Sequence, residues 1–138
     1  MTTPYPVSQL VVFLYASDTA RSWHFYGELL GLELTLDQGA CRIYRVGGKE
    51  GFLGVCQARA EQKPPPPDRA PRGVVLTLVT PDVDGLYATL KARGVPFDTA
   101  PAFSERFNVY SCFFRDPDGY LLELQEFRSP AWPKPRPA

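Results

Sequence analysis

The chain has 138 residues, 44% hydrophobic and 22% charged, which is the make-up of one globular domain (1–138) rather than a disordered or fibrous chain. Its 15 Lys and Arg balance its 15 Asp and Glu, which argues against a broad nucleic-acid footprint. No apolar run approaches the roughly 20 residues of a membrane-spanning helix, and no basic-then-apolar leader is visible.

Leu10 to Tyr15 (LVVFLY) reads as a short β-strand, and Asp18 follows where a helix N-cap belongs. Ser22, Phe25, Tyr26 and Leu29 then fall at i, i+3, i+4 and i+7, one face of a helix. His24, the only histidine, lies on the opposite side and is expected to face solvent. Gly31 suits a left-handed C-cap. Cys41 to Val46 and Gly51 to Gln57 read as strands around the turn Gly47-Gly48. Pro64 to Pro67 make roughly 62–72 an extended linker.

The pattern then repeats. Val74 to Val79 (VVLTLV) is a strand and Asp82 a second N-cap. Val83, Leu86, Tyr87 and Leu90 share a helix face, and Gly94 closes that helix. Val109 to Phe114 leads through the turn Asp116-Pro117-Asp118-Gly119 into a last strand, Tyr120 to Phe127. The repeat offset is 64 residues at the start and 68 at the end. The expected fold is therefore α+β: two paired βαβββ modules, about 8–60 and 73–127, whose mixed sheets curl around a cavity. A proline-rich tail, 128–138, carries Trp132 and is either disordered or a strap that drops one aromatic onto a surface groove.

Cys41, Cys56 and Cys112 are too few and too scattered for a disulfide framework, and no C-x-x-C pair exists. They read as inert buried thiols, with a reducing cytoplasm as the simplest home.

Three phrases carry a family resemblance: Phe25-Tyr26 leading to Leu29-Leu30-Gly31-Leu32, Asp82-Val83-Asp84, and Phe114-Arg115-Asp116-Pro117-Asp118-Gly119-Tyr120-Leu121-Leu122-Glu123. Together they resemble the vicinal oxygen chelate superfamily of glyoxalases, extradiol dioxygenases, and fosfomycin- and bleomycin-resistance proteins. Metal-dependent members hold the ion with one ligand on the first and one on the last strand of each half. The first-strand ligand stands seven residues before the helix-capping Asp, which maps onto Val11 and Val75. The end-strand carboxylate maps onto Glu123, and the repeat places its first-half counterpart at Val55. Valine has no lone pair to give, and a catalytic metal takes about three protein ligands. The resemblance therefore implies no metal and no cofactor, in the manner of the bleomycin-resistance branch.

If strand alternation holds, Leu121, Glu123 and Gln125 share the cavity face while Leu122 and Leu124 pack under the helix. Glu123 could bind a ligand's amine or hydroxyl, act as a general base, or simply be a solvated cleft carboxylate or the partner of a nearby Arg in a salt bridge. Val11, Val55 and Val75 make an apolar floor, joined by Phe13, Tyr15, Tyr44, Phe52, Phe103, Phe107, Tyr110 and Phe113, unless these aromatics are plain core. Arg106 and Asn108 lie where the family lines the cavity mouth, or are solvated loop residues.

The expected protein is a homodimer whose metal-independent cavity binds a small aromatic or amphipathic molecule. The alternatives are a glyoxalase-type lyase or isomerase, with a metal held by other residues or Glu123 as base, and an interaction module working through the tail.

Overall fold

The computed structural model describes residues 8–62 and 73–134; the prolines expected to form the linker lie outside them. Each half begins with a strand whose alternate residues turn inward. In β1 (Leu10–Ala16) Leu14 and Ala16 are buried while Val11 and Phe13 stay exposed. Asp18 Oδ1 accepts the Arg21 N–H at 3.3 Å and starts α1 (Thr19–Trp23), which runs on as a π-helical turn over His24–Leu29. Ser22, Phe25 and Tyr26 are buried on one side, and His24 is exposed as expected. Gly31 then takes a positive φ of 71°, which L side chains disfavour, and releases the chain into β2 (Glu33–Asp37). β3 (Cys41–Val46) and β4 (Gly51–Gln57) complete the first sheet, in the order β1-β4-β3-β2 with β1 and β4 parallel.

The second half repeats this. β5 (Leu76–Val79) leads to α2 (Val83–Ala92), capped by Asp82 through the Gly85 N–H at 2.9 Å. β6 (Ala102–Ser104), β7 (Val109–Arg115) and β8 (Leu121–Phe127) give the order β5-β8-β7-β6, with β5 and β8 parallel. The structure thus contains the two βαβββ modules that the sequence predicts. The sheets do not close on each other. Their helix-facing sides share one core that includes Leu14, Tyr44, Leu53, Val83, Leu90, Phe114, Leu122 and Leu124. The other face of each sheet turns outward.

The Asp116–Gly119 turn fastens the modules together. Tyr26 donates to Asp116 Oδ2 at 2.8 Å, and the hydroxyl and amide of Ser17 both donate to Asp118. Tyr120 donates to the Tyr15 carbonyl at 3.1 Å, and Arg93 to the Leu29 carbonyl at 2.8 Å. Burial pushes the Asp116 carboxyl up to about 6, against the opposing hydrogen bonds from Tyr26 and from the Tyr120 and Asp118 amides.

One expectation is corrected. Cys41 and Cys56 are not separate thiols but a disulfide, because they face each other across the β3–β4 ladder. Two of the three thiols from which a reducing compartment was inferred are therefore paired. Cys112 is free and buried, and burial pushes its thiol up to about 11, far from thiolate formation at neutral pH. No helix among the described residues is long and apolar enough to cross a membrane.

Candidate functional site

β8 runs between β5 and β7, so its outward side chains sit mid-sheet with neighbours on both sides. Leu122 and Leu124 point inward and are fully buried, as alternation requires. Glu123 and Gln125 point outward into a groove of about 560 Å³, walled by Ser111, Phe113, Val109 and Phe127 with Phe107 at the rim. Thr77 is opposite Glu123 on β5, and Phe113 is opposite it on β7.

Glu123 is only 8% exposed, yet neither oxygen depends on water alone. Oε1 accepts the Thr77 hydroxyl at 2.8 Å and Oε2 accepts the Gln125 amide at 2.6 Å. No salt bridge reaches Glu123 among the described residues. A carboxylate offers about four lone-pair directions, so capacity for a further donor remains. An aromatic wall beside such an acceptor orients a flat molecule that brings a hydroxyl or amine.

The first outer face is built differently. Val11, Phe13 and Tyr15 of β1 stand opposite Phe52, Gly54 and Cys56 of β4. Arg45 lies over the Phe52 ring at 5.3 Å, and the Cys41–Cys56 disulfide closes one end of the face. Phe13 packs over Gly54 and fills the space in which a Cβ would stand.

Val11, Phe13, Tyr15 and Phe52, expected to line one cavity with Glu123, stand on the first outer face and not in its groove, and three further sequence-predicted site residues are placed elsewhere. Val55 pairs with Leu14 and is 1% exposed, so it faces the core and not the outer groove. The counterpart of Glu123 is Gly54: Phe13, the repeat partner of Thr77, stands opposite Gly54 as Thr77 stands opposite Glu123. The repeat slips by one residue between halves, and one residue reverses a strand side chain. Tyr110 also turns away, and its hydroxyl donates to Asp84 of α2 at 2.6 Å. Arg106 is exposed and stacks on Phe107 at 5.0 Å, at the rim and away from Glu123. Val11 and Val75 remain exposed, and Phe113 stands beside Glu123.

Thr77 and Ser111 were missed. Thr77 is the one polar residue in an otherwise apolar strand, LTLV, and that was the available signal.

The metal-ligand positions of the resembled family hold Val11, Gly54 and Val75, which offer no donor, and one already hydrogen-bonded Glu123. This set does not fit a catalytic metal, which takes about three protein ligands. Among the described residues no three His, Cys, Asp or Glu side chains gather into a metal-binding group.

Two βαβββ modules that pack their helix-facing sides into one core define a paired-module α+β class. Residues 8–124 match the sequence model of the Glyoxalase/Bleomycin resistance protein/Dioxygenase superfamily, and the chain belongs to that family. A glyoxalase/bleomycin resistance protein/dioxygenase from Nocardioides is similar at 22% identity and a TM-score of 0.70, over 98% of this chain and 92% of that one. TnmS3, an antibiotic binding protein from Streptomyces sp. CB03234, is 25% identical with a TM-score of 0.70, covering 91% and 98%. A glyoxalase/bleomycin resistance protein from the same organism is 26% identical with a TM-score of 0.65, covering 85% and 98%.

Proposed function

We propose that this protein binds a small aromatic or amphipathic molecule without a metal, and that Glu123 is the polar anchor of the site. The observation that carries the reading is the buried carboxylate held by Thr77 and Gln125 in a groove walled by Phe113 and Phe127. The likeness to an antibiotic binding protein supports the same reading. Val11, Gly54 and Val75 at the positions of family metal ligands support metal independence. The proton-transfer alternative has Glu123 as its base, but both carboxylate oxygens already accept hydrogen bonds, which favours anchoring over proton transfer.

The site is completed by a second copy of the chain. The Glu123 groove takes no residue from the first module, and the outer faces leave Val11, Phe13, Val75 and Phe103 between 38% and 51% exposed. Exposed apolar area of this kind on a sheet face is covered in a stable assembly. In a homodimer, Val11, Phe13, Tyr15 and Phe52 of one copy would roof the Glu123 groove of the other. Thermal shift of chelator-stripped protein against divalent metals and against a planar aromatic library tests the reading. Stabilisation by aromatic molecules in the absence of metal supports it; stabilisation by a metal ion that Glu123→Ala abolishes overturns it.

A further inference from the structure

We propose that a second groove, between the β5–α2 turn and the C-terminal segment, binds a planar aromatic molecule carrying an anionic group. It adjoins the Glu123 groove at Phe127, which lines both, but needs nothing from that carboxylate.

Past β8 the chain turns at Ser129, whose carbonyl accepts the Trp132 amide at 3.2 Å and whose hydroxyl accepts the Ala131 amide at 3.1 Å. The turn sets the Trp132 indole on the Phe127 ring, with centroids 3.6 Å apart and planes 13° from parallel. Phe127 shields one face of the indole, and Trp132 is still 47% exposed. A stacked pair with an open outer surface is a platform for a third ring. Val79 and Pro81 form the facing apolar wall, and the groove between measures about 520 Å³, enough for a molecule of two or three rings.

Charge decides the second half of the proposal. Glu126 lines this groove, but its carboxylate is already committed: Oε1 pairs with Arg128 at 3.1 Å and Oε2 accepts the Val83 amide at 2.7 Å. Lys134, on the same groove, has no ion-pair partner among the described residues. The uncompensated charge is therefore positive. An aromatic sulfonate or carboxylate matches ring platform and cation together, whereas a neutral aromatic uses only the first.

The probes are 8-anilinonaphthalene-1-sulfonate and its uncharged relative N-phenyl-1-naphthylamine, titrated into the full chain while tryptophan emission and dye emission are followed. The sulfonate is expected to bind more tightly than the neutral amine and to take energy from tryptophan. Trp132→Ala should weaken sulfonate binding by about tenfold, the scale of one lost stacking partner with its buried area. Lys134→Gln should remove the preference for the sulfonate. Both side chains are exposed, so neither change threatens the fold. Glu123→Gln should leave sulfonate binding unchanged, which separates failure here from failure of the Glu123 site. Equal binding of the two dyes to the wild type, unchanged binding by both tail variants, or loss of binding in Glu123→Gln would overturn the proposal.

Discussion

Phe13 packs over Gly54 on the first outer face, at the position where the second module carries Glu123 beside Thr77. One module therefore fills with an aromatic ring the spot that the other equips with a carboxylate. The two halves share a fold but not a site. Adding even a methyl at Gly54 drives it into the Phe13 ring. Gly54→Ala should cost about 1–3 kcal/mol, the usual scale of overpacking. Pairing it with Phe13→Ala should restore part of that loss in thermal or urea unfolding, since the obstructing ring is gone.

The one-residue slip between halves has a sharp test. Val55 is core and Val11 is on the outer face, although both were expected to line the cavity. Val55→Asp buries an unpaired carboxylate among Leu14 and its neighbours and should leave little folded protein. Val11→Asp should stay folded by circular dichroism. The reverse pattern would place the register one residue away.

Stability should depend on pH through the joint between modules. The Asp116 carboxyl is pushed up to about 6 by burial, above its ordinary value of 3.8. A carboxyl whose folded pKa is raised favours folding most below its unfolded pKa, and that contribution is lost as pH rises through the folded value. Thermal stability should therefore fall between about pH 4 and pH 6, by at most about 3 kcal/mol from this group. Asp116→Asn should flatten that part of the profile. Tyr26→Phe removes a donor to the charged form, so it should move the decline to higher pH and cost about 1–3 kcal/mol above it.

The disulfide closes a loop of 15 residues between Cys41 and Cys56. Loop-closure entropy alone makes such a link worth about 3 kcal/mol against the unfolded chain. Reduction by dithiothreitol should lower the melting temperature by several degrees, and the double variant Cys41→Ser/Cys56→Ser should melt where the reduced protein melts. Cys112→Ser should not reproduce that reductant-sensitive shift.

Much of this molecule was legible in the order of its residues. Both Asp N-caps, Gly31 and Gly94 at positive φ, and the inward Leu122 and Leu124 follow from local rules that tertiary contacts did not override. Glu123 and Gln125 on the outward face followed from alternation alone. What local rules could not supply was register. The repeat offset of 68 residues pairs Glu123 with Val55, whereas the strand register pairs it with Gly54, one residue away and on the opposite face. The disulfide depends on Cys41 and Cys56 being directly opposed across a hairpin, which spacing by itself does not fix. Tyr110 and Phe113 are three apart on one strand, so alternation alone turns them to opposite faces. The turn Asp116–Gly119 was read as a turn, but its use of Asp116 and Asp118 to grip Tyr26 and Ser17 is a contact across about a hundred residues of sequence.

Calorimetric titration of a planar aromatic ligand into chelator-stripped protein tests the central claim most directly. The ligand would be the one that stabilises the protein most in the thermal-shift series. The wild type should bind it with no metal present, and added zinc should leave the affinity unchanged. Glu123→Ala, still folded, should bind at least about tenfold more weakly, a difference of 1.4 kcal/mol. Equal affinity in Glu123→Ala, or binding that appears only when a divalent metal is returned, would contradict the account.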